Sequence, residues 1–137
     1  MARIAIVIGT CSGMTDKQIG FLSSQGITDK FDSDDNPDIC LFVLAGKKWA
    51  NTGNMNFITR LTFYDNLILS GGETAYAILS HGKFKYLISS GEYLPLISSG
   101  TVIGGIFDGK KYILKGGSLG DIDIYMKLIE YATINKI

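Results

Sequence analysis

The chain has 137 residues, with 13 basic and 13 acidic side chains and no formal net charge, so an anion has to be gripped locally rather than by a global positive field. Hydrophobic residues make up 46% and charged residues 19%, which excludes a disordered chain and suits one domain spanning residues 1–137. No Lys/Arg run accompanies exposed aromatics, which excludes the usual nucleic-acid footprint.

Ile4-Ala5-Ile6-Val7-Ile8 is a continuous apolar run ending at Gly9, the pattern of a strand buried on both faces of a parallel sheet. It is too short for a signal segment or a membrane span, so a cytoplasmic protein without membrane partners is expected. Thr15 with Gln18 three residues later reads as a capping box opening a helix. That helix should run to about Gln25, with Ile19 and Leu22 inward and Gly26 ending it. Ile39 to Leu44 is a second buried strand. Residues 47–61 are polar and Asn-rich and carry at most a weak helix. Leu67-Ile68-Leu69 is the next strand, and Thr74 to Leu79 reads as a helix.

The rear of the chain changes character. Tyr86-Leu87-Ile88, Leu96-Ile97, Val102 to Phe107 and Tyr112-Ile113-Leu114 read as short strands, and Asp108-Gly109 signals a tight hairpin between two of them. A helix over about Asp121 to Ala132 closes the chain. The expected fold class is α/β: a Rossmann-like three-layer front half with a mixed sheet, a β-rich rear half and a closing C-terminal helix.

Three strand-to-helix loops are candidates for chemistry. Ser70-Gly71-Gly72-Glu73-Thr74-Ala75 lies where open α/β sheets bind ligands, outside the carboxyl end of a strand. Glycines let backbone approach a phosphate, and the helix start offers unpaired N–H groups with partial positive charge. Equally, paired glycines can simply turn the chain while Thr74 caps a helix. Lys115-Gly116-Gly117-Ser118-Leu119-Gly120-Asp121 repeats the arrangement, with Lys115 either neutralising a phosphate oxygen or standing as an ordinary solvated lysine. Gly9-Thr10-Cys11-Ser12-Gly13 offers hydroxyls but is not a P-loop, lacking the Gly-Lys-Ser/Thr ending.

Other features read as structural. The acidic stretch Asp32, Asp34, Asp35 and Asp38 fails as a calcium loop, because Pro37 and Val43 occupy its Gly and Glu positions. No metal site is expected. His81 has no evident triad partner, and Trp49 is assigned to packing. Cys11 and Cys40 sit beside apolar runs as expected buried thiols, not zinc ligands.

Leu67 to Leu79, with Ser70-Gly71-Gly72-Glu73-Thr74-Ala75 at its centre, resembles the strand–GG[DE]TA–helix signature of the C-terminal nucleotide-binding domain of the four-carbon acid sugar kinases. Lys115 to Asp121 resembles that domain's closing K-S-G-G-F-G-D-type motif, and Gly9 to Gln18 its G-S-x-S…T…Q opening. The resemblance implies binding of ATP with Mg²⁺ by a kinase of small acid sugars, with Ser12, Gly71, Gly72, Glu73, Thr74, Gly116 and Gly117 touching nucleotide. It also implies ligand roles for Glu92 and Gly100, although the family's P-G-x-P-type loop reads Ser98-Ser99-Gly100-Thr101 here. Ser118-Leu119 likewise stands where the family has Gly-Phe. The family's N-terminal substrate domain with its D-D-x-T-G-type motif is not matched. The chain is therefore expected to be a fragment or a separately encoded subunit, inactive as a kinase by itself, and a homodimer through its β-rich rear is a further expectation. A nucleotide-binding regulatory or sensor module is the competing reading.

Overall fold

The computed structural model describes residues 2–9, 12–45, 47 and 56–134. Thr10, Cys11 and Trp49, with most of the Asn-rich stretch, lie outside the described residues. Among the described residues six strands and four α-helices follow in chain order: β1 (Ile4–Ile8), α1 (Gly13–Ser24), β2 (Ile39–Val43), α2 (Asn56–Leu61), β3 (Asn66–Ser70), α3 (Gly72–His81), β4 (Tyr86–Leu94), β5 (Ile97–Ile103), β6 (Lys111–Lys115) and α4 (Ile124–Ile134).

They form one mixed sheet in the order β2-β1-β3-β6-β5-β4. β2, β1, β3 and β6 run parallel, while β5 is antiparallel to both β6 and β4. Strand alternation explains the three layers. Ala5, Val7, Leu67 and Leu69 pack with Phe57, Ile58 and Leu61 of α2 and Ile78 and Leu79 of α3. Ile4, Ile6, Ile8 and Ile68 pack with Leu22 of α1 and Ile124, Leu128 and Ile129 of α4. Every residue of β1 is fully buried, as expected of a central parallel strand covered on both faces, and each large aliphatic there contributes about 1.5–3 kcal/mol. The expected α/β architecture with a closing helix is what the chain adopts.

Four local expectations are corrected. Thr15 and Gln18 do not form a capping box. The helix starts at Gly13 with Ser12 as its cap, and Ser12 makes no side-chain capping bond. Thr15 and Gln18 are buried because each serves the distant closing turn. Thr74 is not a cap either, since α3 begins at Gly72 with Gly71 as its N-cap. Val102 to Phe107 is not one strand: β5 ends at Ile103, and Gly105–Phe107 is a 3₁₀ turn. Asp108-Gly109 does turn the chain between antiparallel β5 and β6, but the connection is longer than a tight hairpin. The Asp108 carboxylate accepts the Gly104 amide at 2.7 Å and closes it as a wider loop. Gly26 ends α1 as expected, with φ +84°.

The acidic loop is organised by two basic side chains. Arg60 donates to the carbonyls of Lys30, Phe31 and Asp35 and to the Asn36 side chain. Lys47 pairs with Asp32. Among the described residues no helix is long and apolar enough to cross a membrane.

Candidate functional site

The three glycine-bearing loops leave the sheet at one level. Ile8 pairs with Ser70 and Ser70 with Lys115, so the carboxyl ends of β1, β3 and β6 form a row about 10 Å wide. Gly9 donates its amide to the Ser70 carbonyl at 3.3 Å, and Gly71 donates to the Lys115 carbonyl at 2.9 Å. β1 lies between β2 and β3, which makes its carboxyl end the point where the winding of the sheet reverses and where such folds open a crevice.

Gly71 bends the chain into α3 with φ +96°, a conformation that costs residues with a Cβ 1–2 kcal/mol or roughly that. The first intrahelical bond runs from Ala75 to the Gly71 carbonyl. The amides of Gly72, Glu73 and Thr74 precede it at the positive end of the helix dipole. Gly72 is open, with no atom within 4 Å of where a Cβ would stand. Thr74 is pressed instead onto the backbone of Gly9, whose Cβ position lies only 2.5 Å from Thr74 Cβ. The helix start is thereby fixed against the end of β1.

The closing turn is held from three directions. The Gly117 carbonyl accepts from Thr15 Oγ1 at 3.5 Å, from Ser70 Oγ at 3.3 Å and from Lys115 Nζ. Gln18 Nε2 lies 3.1 Å from each of the carbonyls of Leu119, Gly120 and Asp121. The polar residues of α1 are therefore buried to build this turn, a role the sequence spacing did not reveal. Lys115 is 2% exposed. Its ammonium also donates to the Gly116 carbonyl at 2.9 Å and lies 5.1 Å from the Tyr125 ring centroid. Burial pushes its pKa down to about 8. It is not the solvated lysine of the structural reading; it braces the turn from beneath, with its charge directly under Gly116 and Gly117.

Between α3, the closing turn and the β4–β5 hairpin lies a cleft of about 300 Å³. Gly71, Gly72 and Gly116 line one end, while Tyr76, Leu79, Phe84, Leu87, Leu96 and Leu114 line the rest. Tyr76 is 68% and Leu96 71% exposed, so the mouth carries apolar groups left in water. Leu96 holds a left-handed φ of 66°, a conformation uncommon outside glycine and found preferentially at functional sites. Sequence reading missed this apolar half. Its one available signal was the apolar composition of residues 75–79 and 86–88.

The remaining candidates fall into two groups. Glu92 sits on the edge strand β4 and accepts the Leu96 amide at 2.9 Å, which shapes the turn at the mouth of the cleft. Ser12 caps the start of α1, its hydroxyl 3.2 Å from Thr15 Oγ1. Gly100 is not brought to the turns. It pairs with Tyr112 in mid-sheet, about 10 Å along β6 from Lys115. A Cβ there would meet the Ile88 carbonyl and lie 2.6 Å from Tyr112 Oη, so its smallness is required by strand packing. Among the described residues no group of three or more His, Cys, Asp or Glu could hold a metal ion.

A family model described as "Nucleotide-binding C-terminal domain" matches residues 49–124, which include both glycine turns. No curated protein matches the chain. The fold is similar to that of a Bordetella bronchiseptica domain of unknown function (DUF1537), solved with bound citrate as a domain-swapped dimer. The TM-score is 0.71 and the identity 16%, over 93% of this chain and 38% of that one. A Haemophilus influenzae protein of the DUF1537 group is similar as well, with TM-score 0.62 and 15% identity over 92% of this chain and 39% of that one. The chain thus spans about two-fifths of the length of these solved relatives.

Proposed function

The chain belongs to the family of nucleotide-binding C-terminal domains, and on that premise we propose that it holds ATP for a kinase of small, four-carbon tetronate-like acid sugars. The observation that carries the reading is the convergence of three strand-end turns on one level beside an apolar cleft. The polyphosphate lies between the α3 amides of Gly72, Glu73 and Thr74 and the turn at Gly116 and Gly117. The base and ribose lie against Tyr76, Leu79 and Leu96. Phosphoryl transfer depends mainly on positioning and charge stabilisation, and fixed amides above the buried Lys115 ammonium supply both. The acid sugar and the base that deprotonates it belong to a separate domain or subunit.

Magnesium does not fit as a resident ion of these residues, since the described residues hold no carboxylate cluster for it. Mg²⁺ binds readily through phosphates, waters and one or two carboxylates, so the reading has it arrive with the nucleotide. Glu73, exposed on the first turn of α3, is the nearest carboxylate in sequence to the glycine turn.

Calorimetry on the isolated chain tests the reading, with ATP or ADP expected to bind saturably. A folded chain that binds neither at millimolar concentration contradicts it. A second reading, a nucleotide sensor without chemistry of its own, is favoured by one observation: the Lys115 ammonium is already committed to carbonyls of its own turn. Reconstitution with a substrate domain separates the two, because acid-sugar-dependent release of ADP belongs to the kinase alone.

A further inference from the structure

At the opposite, amino-terminal end of β3 and β6 is a second cavity, of about 260 Å³, and its lining is polar. Asn66, Ser90, Ser99, Lys111 and Tyr131 face it, and no carboxylate side chain lines it. The placement follows from sheet register. Asn66 pairs with Lys111, and Lys111 with Thr101, so a cation and two polar side chains stand in one row across three strands. Lys111 Nζ donates to Thr101 Oγ1 at 3.0 Å, which uses one of its three N–H groups. The hydroxyls of Ser99 and Tyr131 lie 3.2 Å apart, and that contact ties β5 to α4 and fixes one wall.

Asn66 is the informative residue. It is 4% exposed, yet its side-chain amide makes no hydrogen bond with any of the described residues. Stranding an amide away from water costs about 1–3 kcal/mol, and here the amide opens on the cavity, where solvent or a ligand can partner it. In an aliphatic core the position would be filled by Val or Ile, as Ile4 fills the paired position on β1. The position instead presents an amide, with two N–H donors and a carbonyl, to a cavity also lined by an ammonium and three hydroxyls.

From this juxtaposition we propose that the cavity is a second binding site, for a small oxyanion carried as a carboxylate or a phosphate. The one formal charge on the lining is positive and no carboxylate side chain faces it, which fits an anion better than a cation. The site is separate from the glycine-turn cleft, because Lys111 precedes Lys115 by four residues, roughly 13 Å along the strand. It does not rest on the nucleotide reading, and its occupant does not compete with a nucleotide for the same groups.

The test is a residue-resolved amide NMR titration of the full chain with inorganic phosphate and, separately, with malonate. Saturable shifts are expected at Ser99, Thr101, Lys111 and the Asn66 side-chain amide. Saturation by phosphate alone assigns the ligand to the phosphate class, and by malonate alone to carboxylates. Lys111→Met should weaken binding at this site by about tenfold or more while leaving shifts at Gly72 and Gly116 unchanged. Tyr131→Phe, which removes a hydroxyl and little volume, should weaken it several-fold and guards against a folding defect in the first variant. Two results overturn the proposal: no saturable shift at these four residues with either anion at tens of millimolar, or shifts that Lys111→Met leaves intact.

Discussion

The substitution Gly9→Ala isolates how the site is held. Gly9 has no left-handed φ to protect, so the demand for glycine there is purely one of space. An alanine Cβ would stand 2.5 Å from Thr74 Cβ and 2.8 Å from its Cγ2, against the roughly 3.5–4.0 Å at which carbon atoms rest. Thr74 Oγ1 is closer still, so the gap has to open by more than about 1 Å. Thr74 is β-branched with few rotamers inside a helix, so the displacement falls on the amino end of α3. Overpacking of this kind costs about 1–3 kcal/mol, and moving the helix start should lower nucleotide affinity about tenfold or more. Urea unfolding and calorimetry read the two effects separately. Thr74→Gly removes the opposing atoms but carries its own helix penalty of about 1 kcal/mol. Stability of the double variant should therefore exceed the additive value by about 1 kcal/mol or more. An additive cycle, or a Gly9→Ala chain that binds nucleotide with unchanged affinity, refutes the reasoning.

Lys115 should make stability rise with pH. Its native pKa of about 8 lies below its unfolded value, so between pH 8 and 10 the unfolded chain binds more protons and the native state gains. The gain is on the order of 3 kcal/mol at most. In denaturant titrations Lys115→Met should flatten this slope, leave neutral-pH stability equal or higher, and weaken nucleotide binding. Gly72→Ala and Gly100→Ala should behave oppositely. The first meets no atom within 4 Å and should preserve or slightly raise stability while weakening nucleotide binding. The second collides with the Ile88 carbonyl and should cost about 1–3 kcal/mol in thermal unfolding while leaving the affinity of the remaining folded protein near normal. Gln18→Glu puts a carboxylate opposite three carbonyls and should cost on the order of 3 kcal/mol in chemical denaturation; unchanged stability would falsify the bracing role assigned to α1.

The strands β1, β2 and β3 were legible because residues buried on both faces leave an unbroken apolar run. The turns at Gly71 and Gly116 were legible because a strand, paired glycines and a helix signal stand in immediate succession. What stayed hidden depends on contacts between distant residues. Thr15 and Gln18 carry a capping-box spacing, yet their partners are Gly117 and Leu119 to Asp121, about a hundred positions away. Lys115 looks like a surface lysine until β6 is placed beside β3 and α4 above it. The long edge strand β4 was read as a fragment, because Ser89-Ser90-Gly91 breaks the alternation with a bulge. Glu92 and Gly100 entered by resemblance alone, and only Glu92 lies at the cleft end of the sheet.

The most direct measurement is a crystal structure of the chain with a non-hydrolysable ATP analogue. Phosphate oxygens are predicted within hydrogen-bonding distance of the Gly72, Glu73 or Thr74 amides and of the turn at Gly116 and Gly117, with the base against Tyr76 and Leu96. An analogue bound with its phosphates away from both turns contradicts the assignment of those turns as the phosphate grip.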